Sequence, residues 1–330
     1  MSGMMGMLLG SNFAAAGPAP GPTGNTAGWF VGGVGPPSYL QLSTVQRITF
    51  ATDTATASVR GPLSSANSYR AGGAGNTTYG WYGGGMNPSL PAPSMAITSV
   101  DRITYTTDTA TATARGYLSS SRYYLAATGN QNYGWFGPGL TTVADSSIVD
   151  RITYATDTAT AGSRGKLATQ RSRYAATGND NYGWFAGGSS IPGPIISSID
   201  RIDYANDTAT ATAKGPLSSE RSQIGSTSNS TYGWFGGGYL YPSPSPYEKS
   251  TVDRITFATD TTTASVRGPL NIVRQGPQGV GNSDYGWFAT SNSYTATVSK
   301  ITYATDTATA TASGPLSVGA RMVAATSGIQ

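Results

Sequence analysis

The 330-residue chain contains no cysteine and no histidine. Those two absences remove disulfides, thiolate and imidazole metal sites, cysteine nucleophiles and Ser-His-Asp triads together. Charge is scarce as well: Asp, Glu, Lys and Arg make up 11% of the residues, against 38% apolar ones. So low a charge argues against a solvated, disordered chain. No apolar run is long enough to span a bilayer, so no membrane insertion is expected. The opening "MSGMMGMLLGSNFAAAG" lacks the basic start of a secretory signal. The net charge is +4, but the 16 Arg and 4 Lys are strung along the chain among the acids. A phosphate-binding face would cluster them, so no nucleic-acid partner is expected.

What is present is repetition. The six tryptophans are Trp29, Trp81, Trp135, Trp184, Trp234 and Trp287, at spacings of 52, 54, 49, 50 and 53. Each stands in "YGWF" or a near variant, so the chain holds six units of about 50 residues. Within a unit, "YGWFGGG" is a short aromatic run stopped by glycines, and a variable Pro- and Ser-rich loop follows. Then "VDRITYA" alternates with β-branched residues and reads as a strand. A turn at Asp53, Asp108, Asp157, Asp207, Asp260 or Asp306 follows, its carboxylate placed to cap backbone N–H groups ahead of it. "TATATA" climbs back to "RGPLS", and a strand such as "YYLAATGN" leads to the next unit. Four antiparallel strands repeated six times predict an all-β, six-bladed propeller. The predicted domains are an apolar anchor with a Pro/Gly spacer over 1–23, and a propeller over 24–330. Its units start near residues 24, 75, 129, 178, 229 and 281.

The chain opens on a second strand, "AGWFVGG", and closes on a first strand, "ARMVAATSG". Residues 321–328 are therefore expected to pair beside residues 29–33 and complete the first blade, leaving no open edge at the seam. The alternative is that this strand completes a neighbouring molecule.

The unit resembles a kelch repeat. The likeness rests on an aromatic strand ending in a glycine doublet, a variable loop, a strand with an aromatic and a turn acid, then a Pro and Arg before a small-residue strand. The doublets are Gly32-Gly33, Gly84-Gly85, Gly187-Gly188 and Gly237-Gly238; Gly137-Pro138-Gly139 and Ala289-Thr290 break it. The tryptophan also sits before the glycines rather than on the last strand of the kelch pattern. The likeness runs from about Gly24 to Gln330. The wording "YGWFGGG … STVDRITFATDT … RGPLS … AATGN" further resembles kelch-like repeat proteins of tailed phages of cyanobacteria and other aquatic bacteria. That likeness implies a virion or tail-associated protein, located in the virion or another extracellular assembly.

The recurring side chains admit two readings each. Arg47, Arg102, Arg151, Arg201 and Arg254, with Lys300 in the last unit, either form a cation ring for an anion or lie between blades, paired with carboxylates. The tryptophans either stack on sugars or pack blade on blade, and packing is the expected role for groups that bury about 150–250 Å² each. One carboxylate per turn is too thin a ligand set for calcium, and the glycines lack the Lys-Ser/Thr of a phosphate loop. Asn-x-Ser/Thr sequons stand at Asn76, Asn206 and Asn229. The acids outside the repeat, Asp145, Asp180, Asp203, Glu220, Glu248 and Asp284, show no convergent pair of the kind a glycosidase needs. No enzyme activity, metal or cofactor is expected.

If the repeats are scaffold, specificity belongs to the loops that differ. These are residues 34–43, 86–98, 189–197 and 239–250, all expected on one side of the disc. Tyr39, Leu40, Met95, Ile191, Tyr239, Tyr241 and Tyr247 are the candidate contacts for a partner protein, a host-surface receptor or a glycan. Met4, Met5, Met7, Leu8, Leu9 and Phe13 form a candidate assembly anchor, docking on another copy of the chain or on another virion or filament subunit; a disordered leader is the plain alternative. The expected function is a non-enzymatic structural and binding protein, with a filament protomer or a lectin-like propeller as alternatives.

Overall fold

The computed structural model describes residues 26–36, 40–66, 69, 71–87, 89–91, 94–242, 245–291 and 293–328. The candidate anchor and spacer at 1–23, and Tyr39, lie outside the described residues. Six four-stranded antiparallel sheets form the blades. Blade four runs outward from Ala175–Gly178 through Tyr182–Ala186 and Ile199–Asp203 to Thr212–Lys214. The inner strands of blades one to six are Ala324–Ser327, Gly72–Gly75, Ala127–Gly129, Ala175–Gly178, Gly225–Ser228 and Gln278–Gly281; each meets the next, and the last meets the first. Among the described residues no helix is long and apolar enough to cross a membrane.

The ring closes within the chain. Ala324–Ser327 pairs antiparallel with Ala27–Val31, in the register Gly28↔Ser327 to Val31↔Ala324. A sequence unit and a blade are thus out of phase by one strand: each unit supplies the outer three strands of one blade and the inner strand of the next. That offset covalently stitches each blade to its neighbour.

Blade stacking accounts for the repeated wording. Trp184 of blade four stacks on Phe257 of blade five at 4.2 Å, and Trp81, Trp135 and Trp234 stack on Tyr154, Tyr204 and Tyr303 at 3.6, 3.7 and 3.8 Å. Trp29 stacks on Tyr105, and Trp287 carries the seam onto Phe50. Each Trp Nε1 donates to the turn Asp of the following blade, from Trp29 to Asp108 at 2.8 Å through to Trp287 to Asp53 at 2.7 Å. The same carboxylates receive Arg47, Arg102, Arg151, Arg201, Arg254 and Lys300 at 2.8–3.0 Å. So the turn acid does not cap its own turn, as the local sequence suggests; it is committed to the blade before it. The glycine of "RGPLS" completes the seam: Gly268 N donates to Asp306 O at 2.8 Å, and a Cβ there would overlap the Ala308 carbonyl oxygen.

A second, intrablade tie is unequal around the ring. Blades three, four and five hold buried pairs, Arg122–Asp150 at 2.8 Å, Arg171–Asp200 and Arg221–Asp253 at 2.6 Å. In blade six Ser299 stands where the Asp would be, and Arg274, 0% exposed, donates to Ser299 Oγ and to the carbonyls of Thr290 and Thr297. In blade one both partners are replaced, by Ala320 and Gln46, and Gln46 bonds Ser317 and Val318 instead. In blade two Asp101 is kept and accepts from Ser64.

Candidate functional site

The strand directions give the disc two unlike faces. Second strands rise toward the variable loops, and inner strands descend from the same face toward the "GN" turns. The loops are folded into short hairpins by bridges such as Met86↔Ala96, Ser189↔Ile195 and Tyr239↔Glu248. Bridges Tyr123↔Leu140, Ser172↔Ser189 and Ser222↔Tyr239 then fasten them to the chain entering each inner strand. At the opposite face, asparagines close the inner hairpins: Asn179 Oδ1 accepts from the N–H groups of Asn181 and Tyr182, each at 2.9 Å. Asn130 Nδ2 reaches the next blade's turn at Asp180 O.

The loop face carries exposed apolar side chains on five of its six loops. They are Leu40, Leu90, Val143, Ile191, Tyr241 and Tyr247, with Val143 90% and Tyr241 59% exposed. Tyr241 and Tyr247 stand edge to face at 5.3 Å, with the half-buried Tyr239 ring behind Tyr247 at 6.0 Å. Met95 is less open than these side chains. It is half-buried against a cluster of Val34, Tyr69, Met86 and Met322, because the loop hairpins need a core of their own. Leu90 and Val143 were not among the sequence candidates; their exposure is set by hairpin geometry rather than by residue type.

The inner strands enclose a channel of about 330 Å³ lined mainly by Gly, Ala, Ser and Thr. Each inner strand is paired on one side only, so its free backbone edge faces this space. At the loop-face end the entering residues of five blades take the left-handed conformation: Tyr124, Arg173, Gln223, Gly276 and Met322, at φ of 51–72°. Only glycine adopts this region without cost; others forfeit about 1–2 kcal/mol each. Backbone bonds link the first four around the mouth, Arg173 N to Tyr124 O at 2.9 Å, Gln223 N to Arg173 O at 2.6 Å and Gly276 N to Gln223 O at 2.8 Å. No sequence pattern announced this ring, since Tyr, Arg, Gln, Gly and Met share no chemistry.

Both signs of charge occur on the loop face: Lys166, Arg173 and the buried Arg274 form no ion pair with a carboxylate there, and Asp145, Glu220 and Glu248 lie on the same side, whereas exposed Asp180, Asp203 and Asp284 lie at the opposite face. Burial without a carboxylate pushes the Arg274 guanidinium down to about 10. Desolvation outweighs the attraction of Asp200 and Asp253 and lowers Arg171 and Arg221 as well. Among the described residues no three acidic groups converge as a metal site.

No protein-family model matches this chain, and no curated protein matches it. The fold is that of a six-bladed propeller, a rigid disc whose loops are free to vary and which is suited to binding.

Proposed function

We propose that the chain is a non-enzymatic structural and binding protein of kelch type, a subunit of a larger assembly. The wording of its repeats favours a virion or tail-associated component of a tailed phage. The loop face meets a receptor or a partner protein, and residues 1–23 tether the disc. One contrast carries this reading: the seam residues are repeated blade after blade, while the loops of one face differ and expose Leu40, Val143, Ile191, Tyr241 and Tyr247. Packed cores hide such groups, and although Val59, Tyr117, Ile148, Val266 and Val273 are exposed outside the variable loops, the apolar side chains of the loops lie on one face and suit a docking surface. The Tyr241–Tyr247 corner favours one second reading, a sugar-stacking lectin, which a glycan array with a Tyr241→Ala/Tyr247→Ala variant would detect.

The test is negative-stain electron microscopy of the full chain and of a form lacking residues 1–23. Defined oligomers or filaments from the full chain, and single discs from the truncated form, support the tether. Identical monomeric discs from both sink it. Serine at Leu40, Val143, Tyr241 and Tyr247 is expected to abolish partner capture by the assembled protein; undiminished capture removes the loop face from the proposal.

A further inference from the structure

We propose that a small cavity over the channel mouth is a carboxylate-binding site, in which Arg173 receives an acidic side chain of the protein that docks on the loop face. The inference rests on the loop-face reading above and names the chemistry of its partner.

The cavity has a volume of about 40 Å³ and opens onto the channel, with which it shares Leu125, Ile224 and Gln278. A water needs about 10–15 Å³ by the same kind of measure, so the space holds one carboxylate or a few waters. Arg173 and Tyr124 form its wall, the guanidinium lying over the phenol ring at 4.3 Å. Stacking fixes the plane of the fork and leaves its edge for an acceptor. That edge is nearly unspent: its hydrogen bond is a long one, Nη1 to Ser172 Oγ at 3.4 Å. All sixteen acidic side chains of the chain fall within the described residues, and none of them pairs with Arg173. Across the cavity Gln223 is half-buried, with its Oε1 buried and unmatched; turned over, the amide presents Nε2 to an anion.

Two further observations point the same way. Tyr124, Arg173 and Gln223 are held in strained left-handed backbone by bonds running from blade to blade, so their side chains are aimed by the ring and not by local preference. Such strain persists where the surroundings impose it, and it gathers at binding sites. Asp145, Glu220 and Glu248 lie on the same face, yet Arg173 at the channel mouth has no carboxylate partner, so an acidic group arriving there meets an unshared charge. The apolar residues spread around the same face favour a macromolecule over a free carboxylate as the source.

The test uses the full chain and a fluorescein-labelled octapeptide of alternating Glu and Gly, with its Gln counterpart, followed by anisotropy at low and high salt. The Glu peptide is expected to bind at least about tenfold tighter than the Gln peptide, with the difference shrinking in high salt. Arg173→Gly should erase the difference while keeping or raising Tm, because glycine suits this φ; Arg173→Lys should keep part of it. Equal binding of the two peptides, or an undiminished Glu preference in Arg173→Gly, overturns the site. Acetate is the second arm. If acetate alone binds as tightly as the peptide and competes with it, the carboxylate chemistry stands and the partner side chain is overturned as its source. Failure of the peptide test leaves the loop-face reading standing, because that reading is decided at Val143, Tyr241 and Tyr247.

Discussion

Blade six offers a repair experiment. Arg274 is fully buried and lacks the carboxylate that Arg221 finds in Asp253, while Asn271 and Ser299 occupy the places of Ser218 and Asp253. The double substitution Asn271→Ser/Ser299→Asp transplants the blade-five arrangement. Removing one partner from a buried ion pair costs about 3–5 kcal/mol. Arg221 and Arg274 each bond two carbonyls, so only the Ser299 hydroxyl offsets the missing carboxylate, by about 1 kcal/mol, which leaves a net gain of at least about 2 kcal/mol for the repaired blade. Unfolding entropy of about 2.1 cal/mol/K per residue over roughly 300 residues converts that gain to a Tm rise of at least about 3 °C. The mirror variant, Asp253→Ser, should lower Tm by about 5–8 °C by the same conversion. Differential scanning calorimetry reads both. The sign of the pH dependence follows from the depressed Arg274 pKa of about 10. The penalty is present wherever Arg274 is protonated in both states, below about pH 10, and fades as pH rises toward its unfolded value. The advantage of the double variant is therefore full at neutral pH and narrows above pH 10. An unchanged or lowered Tm, with Asp253→Ser still destabilising, would show that the hydroxyl and carbonyls already satisfy the guanidinium.

Burial raises the phenol pKa of Tyr82, Tyr105, Tyr154, Tyr174, Tyr204 and Tyr303 above their ordinary value. Their stabilisation is complete below about pH 10 and drains above it, by up to about 8 kcal/mol for the six together at about pH 11; circular-dichroism melts should show steep alkaline unfolding, and a flat profile to pH 12 would contradict the burial. Gly268→Ala forces a methyl into the Ala308 carbonyl and should cost about 3 kcal/mol or more by denaturant titration; a loss under 1 kcal/mol would mean that the seam yields. The Tyr154 hydroxyl is buried without a partner, whereas the Tyr204 hydroxyl meets Thr128 Oγ1 at 2.9 Å. Tyr154→Phe should thus be neutral or slightly stabilising and Tyr204→Phe should cost about 1 kcal/mol, an order that equal Tm shifts would refute.

The architecture was legible before any coordinates because its signals are local and periodic. Alternation in "VDRITY", the glycine stop after "YGWF" and one tryptophan per unit mark strands, turns and repeat number within a few residues of one another. The missing first strand at one end and the spare one at the other dictated closure, since an unpaired sheet edge is costly. Partner choice was not legible. The carboxylate of Asp108 reads locally as a turn cap, but Trp29 and Arg47 claim it from 79 and 61 residues away. The same distance hides the fate of Met95, which turns into the loop core, and of Val143, which turns out. Least of all could the sequence announce the channel mouth. Its ring is made by a backbone conformation that Tyr124, Arg173, Gln223, Gly276 and Met322 share without sharing any side-chain chemistry, and by bonds between blades that join the first four. Short-range pattern determined how many blades there are and how the ring shuts. Which side chains meet across the seams, and which are left facing outward, was decided only when six blades were brought around one axis.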